Sequence, residues 1–137
     1  MPDEVSSSPA ETEAAGERFG KRLRAGDLVL LVGELGAGKT TFVRGVARGT
    51  GSTAPVASPT FQLVRVYPGR VQLAHVDLYR IENSSELGDL GLDELLDEGA
   101  VMVEWGDRLD GKKAGLVQLE HLEGDRRLIR VIRDVPR

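Results

Sequence analysis

The chain contains no cysteine, which rules out disulfides and thiolate metal sites across its 137 residues. No apolar stretch approaches the roughly 20 residues that a bilayer-spanning helix needs. Residues 1–10 are acidic and serine-rich, without the basic and apolar blocks of a signal peptide, so a cytoplasmic location is expected. Positive charge is in short supply as well. With 22 acidic residues against 18 basic ones the formal net charge is −4, whereas a domain that grips a nucleic-acid backbone by itself needs a basic surface. The local clusters Lys21, Arg22, Arg24 and Arg126, Arg127, Arg130, Arg133 read as solvated faces. Any nucleic-acid role is therefore expected to pass through a partner protein. The sole asparagine is Asn83, and no N-K-x-D motif for reading guanine exists. Internal repeats are missing too. What remains is an ordinary globular composition, 40% hydrophobic and 29% charged. Its length suits a disordered tail over 1–7 and a single domain over 8–137.

One motif stands out from that background. Gly33-Glu34-Leu35-Gly36-Ala37-Gly38-Lys39-Thr40 fits the phosphate-loop (Walker A) pattern G-x-x-x-x-G-K-[ST]. It follows Leu28-Val29-Leu30-Leu31-Val32, which reads as a buried strand, and precedes a helix over 41–48. The glycines let successive backbone N–H groups turn inward into a nest for phosphate oxygens. The helix N-terminus adds unsatisfied donors and a positive dipole end. Lys39 supplies a mobile positive charge for the outer phosphates, and the Thr40 hydroxyl can ligate Mg²⁺. Nucleoside triphosphate binding is the function this pattern implies.

The rest of the chain reads as α/β. Ser8-Pro9-Ala10-Glu11 opens a first helix, with Ser8 as N-cap, Pro9 at the first helical position and Glu11 completing a capping box. Thr12, Ala15, Phe19 and Leu23 recur on one helical face, and Gly26 is expected to stop the helix. In the phosphate-loop helix Phe42, Val43, Val46 and Ala47 form the apolar stripe, and Gly49 with Gly51 ends it. A loop follows over 50–59. Strands over 61–66 and 71–76 are joined at Tyr67-Pro68-Gly69-Arg70, where Pro-Gly suits a type II turn. A glycine-interrupted helical stretch begins at Ser84 and Ser85, with Leu87, Leu90, Leu92, Leu95 and Leu96 as its apolar positions. Residues 100–103 read as a fully buried parallel strand, and 116–122 with 128–132 as an antiparallel hairpin. The expected fold is a P-loop NTPase-like sheet with flanking helices and two antiparallel additions.

A phosphate loop needs a carboxylate near Mg²⁺, usually at the end of a neighbouring apolar strand. Asp77 closes Val71-Gln72-Leu73-Ala74-His75-Val76, and Glu104 closes the strand at 100–103. Ligands bind at the carboxyl ends of strands in open α/β sheets, so both acids can converge on the loop. One would hold Mg²⁺, and the other would orient or deprotonate the attacking water. His75 reads as a packed strand residue. Trp105 suits either the core or a place beside the nucleotide. As the only tryptophan it offers a fluorescence signal, expected to change on adding nucleotide with Mg²⁺. Ser58-Pro59-Thr60 lies in the loop after the phosphate-loop helix, where a threonine can sense a γ-phosphate.

Four motifs in order resemble the bacterial TsaE family, formerly called YjeE. They are Gly33 to Phe42, Ser58-Pro59-Thr60-Phe61, His75-Val76-Asp77-Leu78-Tyr79-Arg80 and Val103-Glu104-Trp105, and the resemblance runs from about Thr12 to Arg130. Members are small ATPases that work with TsaB and TsaD in making threonylcarbamoyladenosine on tRNA. The resemblance implies that Glu34, Gly36, Ala37, Gly38, Lys39, Thr40 and Thr41 wrap the phosphates of ATP. It further implies that Thr40 and Glu104 hold Mg²⁺ and that Asp77 is a second acid for hydrolysis. By the same likeness Ser58-Pro59-Thr60 is a switch-like loop, Thr12 lies near the adenine, and Trp105 lies near the nucleotide or a partner surface. The stretch 110–115 lacks the proline expected before the penultimate strand.

The implied activity is weak ATP hydrolysis, stimulated by partners, with tRNA touched only indirectly. Two other classes compete. A small-molecule kinase would need an acceptor pocket and an arginine-bearing lid, yet only about 30 residues follow Trp105. A nucleotide-sensing module without significant catalysis would share every motif, and mutating Asp77 and Glu104 separates it.

Overall fold

Every position of Leu28–Val32 is aliphatic because both faces of that strand are covered. The computed structural model describes residues 3–34, 38–53, 64–77, 91–104 and 114–136. Its elements are β1 (Glu4–Ser6), α1 (Pro9–Gly20), β2 (Leu28–Val32), α2 (Lys39–Gly49), β3 (Val64–Tyr67), β4 (Gln72–Asp77), α3 (Leu92–Glu98), β5 (Gly99–Glu104), β6 (Gly115–His121) and β7 (Arg127–Arg133). The strands make one sheet in the order β1-β7-β6-β2-β5-β4-β3. β2, β4, β5 and β6 run parallel in its centre, while β3, β7 and β1 add antiparallel edges.

Alternation along the central strands sorts the core into two layers. Val29, Leu31, Leu73, Ala100 and Met102 pack under α1 and α2 with Phe19, Phe42, Val43 and Val46. Leu28, Leu30, Ala74, Val76, Val101 and Val103 face the opposite side with Leu92 of α3, and Leu95 and Leu96 pack against them. The expected sheet with flanking helices and two hairpins is the observed fold. The strand expected from 61 is described only from Val64, and the part of the helical stretch before Gly91 lies outside the described residues.

Ser8 caps α1 by accepting from the Glu11 N–H at 3.1 Å. The reciprocal bond differs from the expected box: Glu11 accepts from the Ser7 N–H at 3.3 Å. The helix stops at Gly20, before the expected Gly26, and two tight turns follow, Arg22 N–H to Phe19 O and Leu23 N–H to Gly20 O. Gly26, with φ 93°, instead turns the chain into β2. α2 ends as expected at its glycines: Gly51 takes φ 97°, and the N–H groups of Gly51 and Ser52 satisfy the carbonyls of Arg48 and Ala47.

α1 and α2 touch backbone to backbone. A Cβ on Gly45 would lie 1.9 Å from the Glu13 carbonyl oxygen, and one on Gly16 would lie 2.2 Å from that of Phe42. Gly20 and Gly49, each one turn further on, are equally tight. Arg70 closes the far end of the pair. Its guanidinium donates to the carbonyls of Gly20, Leu23 and Gly49 at 3.3–3.4 Å, where helix C-termini favour a cation.

Two expectations are corrected. Residues 4–6, expected in a disordered tail, form β1 against β7, with Val5 opposite Leu128. Backbone pairing holds this strand; Val5 itself is 45% exposed, so composition carries no sign of it. The turn at Pro68-Gly69 is not type II, because Gly69 is not among the glycines with positive φ. Glycine is required there for space: a Cβ would lie 2.5 Å from the Thr50 carbonyl oxygen.

Candidate functional site

The link between β2 and α2 carries the phosphate-loop motif. Gly38 is the N-cap of α2 at φ 91°, a left-handed conformation that favours glycine. Having no side chain, it leaves the first amides of α2 without a side-chain cap, and an anion is their natural acceptor. Lys39 is buried at 7% exposure, and its Nζ donates to the Gly33 carbonyl at 2.6 Å. The cation is folded back on the first carbonyl of its own loop. Thr40 and Thr41 are half-buried and Glu34 is exposed. Gly36 and Ala37 lie outside the described residues.

The two acids come together with the loop through sheet register. Glu104 pairs opposite Leu31 of β2, two residues before Gly33, and Asp77 pairs opposite Glu104. Parallel pairing thus brings the ends of β2, β4 and β5 to one edge. Glu104 is 6% exposed. His75 lies fully buried on β4, with Nε2 3.6 Å from Glu104 Oε2. A buried carboxylate and a loop threonine hydroxyl are hard oxygen donors, the kind Mg²⁺ takes when phosphates and water complete its shell. Among the described residues no three acids or histidines gather as a metal cluster, and a nucleotide-borne Mg²⁺ needs none.

Thr12 reaches the loop from α1. Its hydroxyl bonds Ser6 Oγ at 2.6 Å, and it lines a cavity of about 30 Å³ with Pro9, Gly38, Thr41, Asp125 and Arg127. The close approach of α1 to α2 sets this placement. Arg127 lies against the loop: its side chain passes 3.5–3.8 Å from the position a Gly38 Cβ would take. In sequence it belongs to an arginine-rich strand read as solvated, and nothing local marks it, because β7 meets the loop only in the folded sheet. A hollow of about 620 Å³ adjoins the start of the loop, lined by Val32, Gly33, Glu34, Gln118, Leu119, Glu120 and His121. Ser58, Pro59, Thr60 and Trp105 lie outside the described residues.

Comparison with known proteins identifies the family of the chain. The family model "Threonylcarbamoyl adenosine biosynthesis protein TsaE" matches residues 6–129. A Streptomyces coelicolor protein named tRNA threonylcarbamoyladenosine biosynthesis protein TsaE is 46% identical over 124 residues, 88% of this chain and 78% of that protein. Its namesake from Treponema pallidum is 42% identical over 106 residues, 77% of this chain and 78% of that protein. A crystal structure of Bacillus subtilis YdiB superposes with a TM-score of 0.78 at 32% identity, covering 93% of this chain and 82% of that one. With that family model matched over most of its length and relatives more than 40% identical, the chain belongs to the TsaE family.

Proposed function

We propose that this TsaE-family protein, a component of tRNA threonylcarbamoyladenosine biosynthesis, binds and slowly hydrolyses ATP with Mg²⁺, in the cytoplasm and together with TsaB and TsaD. The observation that carries the reading is the buried Lys39 beside the uncapped amides of α2. A buried ammonium beside helix-end amides that no side chain caps suits a polyanion. Gly36, Ala37, Gly38, Lys39, Thr40 and Thr41 would cradle the phosphates, with Glu34 at the rim and Thr12 toward the base. Arg127, beside Gly38 and Thr12, would be a further group to touch nucleotide.

Thr40 and Glu104 would hold Mg²⁺, which, when bound, neutralises the charge that develops on the β- and γ-phosphate oxygens. Lys39 would leave the Gly33 carbonyl for the outer phosphates. Asp77, opposite Glu104, would order the attacking water. Ser58-Pro59-Thr60 would serve as the switch that reports the γ-phosphate to partners, and Trp105 would lie beside the nucleotide or a partner. An arginine or an ordering surface supplied by a partner is worth roughly 10³–10⁵-fold in such enzymes, so the isolated chain should turn over slowly.

ATP turnover measured with and without TsaB–TsaD tests this reading. Slow hydrolysis that rises on adding the partners is expected; full turnover alone, unchanged by them, would contradict it. Asp77→Ala and Glu104→Ala separate catalysis from a mere nucleotide sensor. Hydrolysis should fall by two orders of magnitude or more with ADP still bound, and two silent variants would favour the sensor.

A further inference from the structure

His75 is fully buried on β4, flanked by Leu73, Ala74 and Val76 and registered opposite Met102 of β5. It shares the α2 face of the sheet with Leu73 and Met102, which belong to the apolar cluster packed under α1 and α2. Among the described residues neither ring nitrogen has a hydrogen-bond partner. Leucine or methionine would fill such a position without stranding two polar atoms, so packing alone gives no reason for an imidazole. Among the described residues it faces the Glu104 carboxylate, Nε2 to Oε2 at 3.6 Å. Nitrogen–oxygen bonds extend to about 3.2 Å, so a shift of roughly 0.4 Å closes the contact. In such a bond a carboxylate oxygen accepts and the facing ring nitrogen is the donor.

We propose that His75 is a positioning residue for Glu104: its Nε2–H steadies one carboxylate oxygen and leaves the second for the Mg²⁺ of the bound nucleotide. The proposal rests on the reading that Glu104 is a cation ligand. β4 and β5 then have a joint task, since His75 sits one strand over and reaches Glu104 across the sheet. Such outer-shell partners orient the ligand, and their loss typically lowers metal affinity 10–100-fold.

The test is the ratio of ADP dissociation constants without and with Mg²⁺, measured by calorimetry on the wild type, His75→Leu and His75→Gln. We expect the Mg²⁺ advantage of the wild type to fall about tenfold in His75→Leu. His75→Gln, which sets an amide N–H near the Nε2 position, should restore most of it. An undiminished ratio in His75→Leu, or no rescue by His75→Gln, overturns the proposal. If the leucine variant does not fold, the wild type decides through a long-range ¹H–¹⁵N spectrum of its imidazoles. Only His75 and His121 contribute. Hydrogen on Nε2 of His75 supports the proposal, and a bare Nε2 overturns it. A wild type that binds ADP with no Mg²⁺ advantage would instead remove Glu104 as a cation ligand, a separate failure visible before any variant is made.

Discussion

Asp134 and Arg22 meet across the protein at 2.9 Å, tying the end of the chain to the turn after α1. The Arg22 hydrogen bond holds the Asp134 carboxyl below its ordinary 3.8, helped by the Val135 N–H and opposed by partial burial. A carboxyl whose folded pKa is depressed stabilises the fold above its unfolded pKa, and that stability is lost as pH falls through the folded one. Both side chains are about half exposed, so solvent screening keeps the contribution small. Asp134→Asn should cost about 0.5 kcal/mol near neutrality, and the gap to the wild type should close as pH drops below about 4 in denaturant titrations. A gap that stays constant down to pH 2 would mean that the carboxylate charge is not involved. At this scale the sequence is legible wherever a residue's place is set by its neighbours in the chain. Lys39 and Thr40 follow from the loop pattern, and Glu104 from its place at the end of an apolar run. Arg127 and the His75–Glu104 contact are not legible, because each depends on strands brought together by the sheet.

Among the elements, the α1–α2 pair is the most sharply constrained. Gly16 and Gly20 on one helix and Gly45 and Gly49 on the other let the two backbones touch, which carries Thr12 to the edge of the phosphate loop. On an isolated helix Gly→Ala stabilises by about 1 kcal/mol. Gly45→Ala should do the reverse, since its Cβ would lie 1.9 Å from the Glu13 carbonyl oxygen. A net loss of about 2–3 kcal/mol is expected from equilibrium unfolding, with weaker nucleotide affinity as Thr12 is pushed from the loop. A stabilised variant would show that the helices are not held this closely. In sequence these glycines resemble breakers, and only their four-residue spacing hints at a helix contact. The same ambiguity surrounds Pro68-Gly69: the dipeptide announces a turn correctly, while the reason for the glycine, clearance from Thr50, lies in another element.

For the whole molecule, local patterns carry the class of fold further than its wiring. The apolar runs at β2 and β5 signal buried parallel strands, since only a sheet covered on both faces tolerates them. Strand order and register come from nowhere in the sequence, yet they bring Asp77, Glu104 and the loop to one edge. The outer strand β1 is equally silent, held by backbone pairing and by the Ser6–Thr12 bond. On the proposed function, that edge holds the phosphates of a nucleotide through Lys39 and the amides of α2. Titration calorimetry with ADP at saturating Mg²⁺ tests it most directly. The wild type should bind stoichiometrically, and Lys39→Ala, still folded, should bind at least about a hundredfold more weakly, near 2.7 kcal/mol. A folded wild type that takes up no adenine nucleotide, or a Lys39→Ala variant that binds as well as the wild type, would contradict the account.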